Sequence, residues 1–154
     1  MSRAFVREQD IEALEELPDR LISPHPNDVT DEGMKQLKSM LEAAREAHAA
    51  ALRAQDRSAL AIAARDLRYW SARRATARII PSPTDTTEVR FGSSVSIRRS
   101  DGREQTFRII GEDEANPSQG TISHASPLAR ALIGKGLGDV ARLGTTEIEI
   151  LAIR

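Results

Sequence analysis

The sequence predicts an α+β protein in which an antiparallel helical hairpin precedes a small antiparallel sheet carrying one helix. Three observations lead there. Residues 30–80 hold apolar side chains at steps of three and four in two successive runs. From about residue 87 the period changes to alternation, as at Val95 and Ile97 and again at Phe107 and Ile109. Proline pairs, Pro24 with Pro26 and Pro81 with Pro83, punctuate the chain between these parts. The expected boundaries are an acidic, Pro-rich arm over 1–29, a helical hairpin over 30–80, a linker over 81–86 and a sheet domain over 87–154.

In the arm, Pro24 and Pro26 force extended backbone and discourage helix, so the segment is expected to drape over the surface or move freely. The first helix starts at Thr30, a good N-cap, with Asp31 and Glu32 placed to favour the helix dipole. Gly33 is a weak spot in that first turn. Met34, Leu37, Leu41, Ala44, His48 and Ala51 then form one stripe, and Leu60, Ala63, Leu67, Trp70, Arg74 and Ala77 a second. Between them, Asp56 or Ser58 in Gln55-Asp56-Arg57-Ser58 would cap the second helix. Folding there sets Leu41 opposite Trp70 and Ala44 opposite Leu67, large against small. His48 lies on the seam as a tolerated residue, because no second ligand accompanies it.

In the sheet domain, Asp101-Gly102 marks a hairpin between two alternating runs. Thr121–Ser123 is a short strand. Ser126 and Pro127 open a helix as N-cap and first residue, with Leu128, Ala131 and Leu132 facing inward and Gly134 or Gly136 ending it. Gly138-Asp139 is a turn, VARL follows, and EIEILAI is the last strand, with Ile148 and Ile150 on one side.

Composition removes several functional classes. The 154 residues contain no cysteine, which excludes disulfides, a thiol nucleophile and cysteine zinc sites. His25, His48 and His124 show no metal-ligand spacing. No apolar run nears the ~20 residues of a membrane span, and the first residues lack an apolar signal core; a cytoplasmic monomer is expected. The net charge of −1 conceals an asymmetry. Residues 1–46 carry six Lys/Arg against eleven Asp/Glu, whereas residues 47–78 carry seven against two. That basic middle is the part most suited to a polyanion.

Several motifs in order resemble one family. They are Phe91-Gly92-Ser93, Ile110-Gly111-Glu112-Asp113-Glu114, Ile122-Ser123, Ser126-Pro127-Leu128-Ala129-Arg130-Ala131-Leu132 and Gly138-Asp139. Together they are similar to the C-terminal domain of the GreA/GreB transcript-cleavage factors. MSRAFVRE, and Thr30-Asp31-Glu32-Gly33 with Leu37, also resemble members of that family. The resemblance implies an FKBP-like C-terminal domain docking on the rim of the RNA polymerase secondary channel, with Asp113, Ser126, Pro127, Arg130 and Lys135 on the docking face. It implies a coiled-coil arm that enters the channel, where acidic residues at its tip help hold a Mg²⁺ at the polymerase active site. It also implies contacts of Arg65, Arg68, Arg73 and Arg74 with nascent RNA. Their spacing does not make a single stripe, since the position four beyond Arg68 is Ala72.

The tip departs from the family pattern, which reads approximately G-D-x-S-E-N-A-[DE]-Y. Here Gln55-Asp56-Arg57-Ser58-Ala59-Leu60-Ala61-Ile62-Ala63 keeps Asp56 and Ser58 and replaces the later acids by Ala59 and Ile62. Each helix is also shorter than the resemblance leads one to expect by about six to ten residues, which withdraws the tip by roughly 9–15 Å. The expectation is therefore a Gre-like regulator that binds polymerase, is not itself an enzyme, has no cofactor of its own, and shares at most the polymerase's Mg²⁺ through Asp56. Alternatives are a regulator resembling Rnk that competes with Gre factors, or an adaptor binding nucleic acid or a partner through the basic hairpin. A prolyl isomerase is disfavoured, because residues 79–154 offer only Phe91 and Phe107 as aromatic walls.

Overall fold

The computed structural model describes residues 17–154. The arm expected over 1–29 therefore lies partly outside the described residues. Those residues form two compact units, 17–26 with 35–76, and 27–34 with 77–154.

The first unit is the helical hairpin. Helix α1 (Asp31–Ala54) and helix α2 (Arg57–Thr76) are joined at Gln55-Asp56. From Leu37 onward α1 buries Leu37, Leu41, Ala44 and Ala51, the expected stripe, with His48 half-buried on it. Helix α2 buries Ala63, Trp70 and Arg73, while Leu60, Leu67 and Arg74 are only half-buried. The link is tight. The Asp56 N–H donates to the Ala51 carbonyl (3.1 Å) and the Gln55 N–H to Leu52 (3.2 Å). These two bonds form a Schellman closure of α1. The left-handed residue that closure needs is Gln55, at φ +52°, where glycine is the usual choice.

The second unit holds a five-stranded sheet and a two-stranded pair. The strands are β1 (Asp28–Val29), β2 (Arg78–Ile79), β3 (Ser94–Arg99), β4 (Glu104–Ile110), β5 (Thr121–Ser123), β6 (Val140–Leu143) and β7 (Thr146–Ile153). Helix α3 (Pro127–Leu132) follows β5. In space the sheet runs β5-β4-β3-β7-β6. The α+β class stands, but the sheet is mixed where an antiparallel one was expected. Strand β5 pairs with β4 in parallel, Arg108 opposite Thr121 and Ile110 opposite Ser123. The reason lies in the connection. Residues 111–120, including the short 3-10 turn Pro117–Gln119, are long enough to bring the chain back beside Arg108 so that it runs alongside the end of β4, which a tight hairpin cannot do.

The arm's end is also more ordered than proline content suggested. Strands β1 and β2 pair in parallel, Asp28 opposite Arg78 and Val29 opposite Ile79, and Val29 is buried. Residues 78–79, expected to lie in the hairpin, belong to this pair.

The core lies between α3 and the sheet. Val95, Ile97, Ile109, Leu132, Ala141, Ile148 and Ile150 have at most 1% of their surface exposed. Burial of each large side chain stabilises the fold by roughly 1.5–3 kcal/mol. On α3 the fully buried pair is Ala129 and Leu132, and Leu128 and Ala131 only flank it. The helix is six residues long, and its N-cap places the 129/132 face inward.

Candidate functional site

Two regions were expected to carry function, the face around α3 and the hairpin with its tip. On the sheet unit, the parallel pairing of β4 and β5 decides what meets. Both strands end at the same edge, so the turn holding Asp113 and the segment leading into α3 leave the sheet side by side. The His124 N–H donates to the Ile110 carbonyl (2.9 Å), and the Ser126 N–H to Ser123 (3.0 Å). Asp113 and Pro127 are exposed there, and Arg130 is exposed a turn further on. Ser126 is half-buried, and its hydroxyl accepts the Ala129 N–H at 3.3 Å as the N-cap of α3. Its type is accounted for by the cap. Lys135 lies past the other end of α3, where its carbonyl accepts the Val89 N–H at 2.8 Å. The expected docking residues thus form a strip along α3 with Asp113 at its head, and Lys135 stands apart at the foot.

Glu114, which entered only as one letter of a motif, has a role that its neighbours in sequence do not indicate. Its carboxylate accepts the Thr30 hydroxyl (2.8 and 3.1 Å) and the Gly111 N–H (3.2 Å). Thr30 Oγ1 in turn accepts the Gly33 N–H at 3.0 Å, as an N-cap should. A negative charge thus sits at the start of α1, where the helix dipole favours it. Gly33 makes this possible. A Cβ there would stand 1.2 Å from Glu114 Oε2. The residue that looked like a weak spot is the clearance for a carboxylate. Gly111 is constrained similarly, since its Cβ would meet the Asp28 carbonyl oxygen at 2.7 Å. Glycine and glutamate in Ile110-Gly111-Glu112-Asp113-Glu114 thus serve the join between β1, α1 and the sheet. The available signal was a glycine in a helix's first turn with no turn to make.

Beside this strip Phe91 and His124 stack edge to face, with ring centroids 5.6 Å apart, and His124 Nε2 is buried without a hydrogen-bond partner. Two exposed carboxyls are held below their ordinary range. Asp85 is lowered by the Thr87 hydroxyl and then its N–H, with Arg90 adding attraction. Asp101 is lowered by the Arg103 N–H and then its guanidinium.

At the hairpin tip, Asp56 is the only acid between Glu46 and Asp66. Its Oδ1 accepts the Ala59 N–H at 3.0 Å and its carbonyl accepts the Leu60 N–H at 2.9 Å. Asp56 is therefore the N-cap of α2, and Ser58 is not. A Mg²⁺ seeks several oxygen ligands, with carboxylates among them. One carboxylate already engaged as a cap does not match that demand. Among the described residues no group of three His, Asp or Glu side chains is placed to hold a metal.

The arginines of α2 are dispersed. Arg73 is 1% exposed, which withdraws it from any contact with RNA at the surface. With Ala63 and Trp70 it is one of the buried residues of α2. Arg65 is half-buried, 3.9 Å from Asp66. Arg68 is exposed and bonded to Asp19 at 2.6 Å. Arg74 is half-buried. His48, Ala64, Leu67, Arg68 and Ser71 line a shallow open depression of about 420 Å³. No helix among the described residues is long and apolar enough to cross a membrane.

Comparison with known proteins bears on the sheet unit first. Residues 84–154 match the family described as "Transcription elongation factor, GreA/GreB, C-term". A GreA of Hyphomonas neptunium is 55% identical over 58 residues, 37% of either chain. A GreB of Neisseria meningitidis serogroup A is 49% identical over 72 residues, 44% of either chain. The chain thus aligns with less than half the length of these curated relatives. The crystal structure of GreA factor homolog 1 of Thermus thermophilus is 24% identical and covers 84% of this chain and 99% of its own, with a TM-score of 0.40. That superposition is too loose to add to the assignment. Residues 84–154, which take in the strip from Asp113 to Lys135, are thus similar to the C-terminal domain of the GreA/GreB transcription elongation factors, and the helical hairpin lies outside that match.

Proposed function

We propose that this protein is a regulator of transcription elongation that binds RNA polymerase through its C-terminal sheet unit, at the secondary channel, and does not deliver a metal-binding carboxylate to the polymerase. The supporting observation is a contrast along the chain. The family match takes in all of the five-stranded sheet and α3, and the hairpin tip offers one carboxylate whose Oδ1 caps a helix. The exposed residues of the α3 strip, Asp113, Pro127 and Arg130, are the contacts with the polymerase rim, while Ser126 shapes them and Lys135 flanks them. On this reading the protein is not itself an enzyme, carries no cofactor and acts as a monomer in the bacterial cytoplasm. Whatever Mg²⁺ takes part belongs to the polymerase.

The test is capture of core RNA polymerase by the immobilised chain. Retention at micromolar protein, weakened at least tenfold by combined changes at Asp113, Pro127 and Arg130, supports the docking face. No retention refutes it. Replacing Asp56 by alanine should leave polymerase binding intact and cost the hairpin about 1 kcal/mol, the value of an N-cap.

Two specific observations favour a second contact, with nascent RNA. Arg68 is exposed on α2, and the segment 47–78 has a charge excess of seven Lys/Arg over two Asp/Glu. Arg65 and Arg74, half-buried, flank it. The same basic face is what an adaptor without polymerase, or a competitor of Gre factors resembling Rnk, would use. Capture of polymerase separates the adaptor from the other two.

A further inference from the structure

The residues ahead of β1 are fastened to α2 in a particular way. Asp19 accepts from the Arg68 guanidinium at 2.6 Å. Arg20 pairs with Asp66 at 3.3 Å, and its guanidinium carbon lies 3.8 Å from the centre of the Tyr69 ring and 5.3 Å from that of Trp70. The apolar side chains beside them do not anchor the segment, since Leu21 is 93% exposed and Ile22 46%. A carboxylate on an arginine and a flat cation on an aromatic ring reproduce the two contacts that single-stranded nucleic acid makes. There, phosphate pairs with arginine and an unstacked base lies on an aromatic face. Arg65, Arg68 and Tyr69 are three and four residues apart, so α2 offers them on one face.

We propose that residues 17–26 are a built-in competitor, in which Asp19 takes the place of a phosphate on Arg68 and Arg20 the place of a base on Tyr69, so that the strap must lift before single-stranded nucleic acid binds α2. The proposal rests on the nucleic-acid reading of α2 above. The strap is suited to release. Its two ion pairs are more than a third exposed on every partner and are screened by salt. Once it lifts, Asp66 remains beside Arg65, which leaves Arg68 as the principal phosphate contact.

The experiment measures binding of a fluorescein-labelled short oligouridylate to the full chain by anisotropy at low salt, with oligothymidylate and a duplex as further probes. The double variant Asp19→Asn, Arg20→Ala should bind the single strands about three- to tenfold tighter than the parent, the weight of one exposed ion pair and one exposed cation–π contact. The gain should vanish on adding Arg68→Ala, and the duplex should gain less, because its bases cannot stack on Tyr69. Asp19→Asn alone, which leaves the Arg20 stack in place, should give part of the gain, and circular dichroism checks that the hairpin persists. If the variants bind no tighter than the parent while the parent binds through Arg68, the strap idea is overturned and the reading of α2 stands. If no form binds the oligonucleotide, both fall. Neither outcome touches polymerase capture by the sheet unit.

Discussion

Replacing Gly33 by alanine should destabilise the protein, although the same change in most helices stabilises it. Alanine is favoured over glycine in a helix by about 0.5–1 kcal/mol. Here the new Cβ would lie 1.2 Å from Glu114 Oε2, so the carboxylate must swing away. Its contacts with the Thr30 hydroxyl at 2.8 Å and the Gly111 N–H at 3.2 Å are then lost. Hydrogen bonds to a charged group contribute about 1.5–3 kcal/mol each, and less where half-exposed, as this carboxylate is. Two such bonds and part of the helix-dipole term total about 2–4 kcal/mol. Set against the alanine gain, the net loss is about 1–3 kcal/mol. The assay is urea unfolding followed by circular dichroism for the parent, Gly33→Ala, Glu114→Ala and the double variant. Without the Glu114 carboxyl the three atoms nearest the new methyl group are gone, so Gly33→Ala in the Glu114→Ala background should stabilise by about 0.5–1 kcal/mol. The sign must reverse between backgrounds. The same sign in both would show that Glu114 does not occupy the space over Gly33.

Three further outcomes follow from the geometry. Gln55→Gly should stabilise the hairpin by about 1 kcal/mol in thermal unfolding, since φ +52° strains any residue with a Cβ. Gly111→Ala should cost about 2 kcal/mol or more, because its Cβ meets a backbone oxygen of Asp28 at 2.7 Å and backbone cannot swing aside as a side chain does; an unchanged melting temperature would contradict this. Asp85 and Asp101 should titrate below the ordinary aspartate value of 3.8 when followed by carboxyl NMR shifts. A depressed carboxyl stabilises the folded state above its unfolded pKa, and that contribution fades as the pH falls below about 3.8 through the folded value. Arg103→Ala should raise the Asp101 pKa and leave Asp85 unmoved.

Local signals in the sequence were enough for most of the elements. The stripe from Leu37 to Ala51, the Thr30 cap, the Asp101-Gly102 hairpin and the Ser126-Pro127 helix start each depend on neighbours within a turn or two, and each formed as expected. What depended on distant partners was not legible. The parallel pairing of β5 with β4 is a property of where a ten-residue connection lands. Strands β1 and β2 pair residues fifty apart. Arg73 fell in a charge-rich run, and only the folded structure shows it to be buried. Gly33 is the clearest case. Its propensity marked it as a defect, and its reason lies 81 positions away at Glu114. At the candidate site the same division holds. Ser126 and Asp56 were named on sequence, and the structure explains both as caps. The exposure of Asp113, Pro127 and Arg130 could not be read from their spacing.

The most direct test is the rate of transcript cleavage in a backtracked elongation complex driven by a cleavage-competent Gre factor, measured as this chain is titrated in. A docking unit without a metal-delivering tip predicts that the rate falls with concentration as the chain takes the shared site. That fall should be preserved in Asp56→Ala and lost when Asp113, Pro127 and Arg130 are changed. A rate that does not respond, or one that rises and depends on Asp56, would contradict the account.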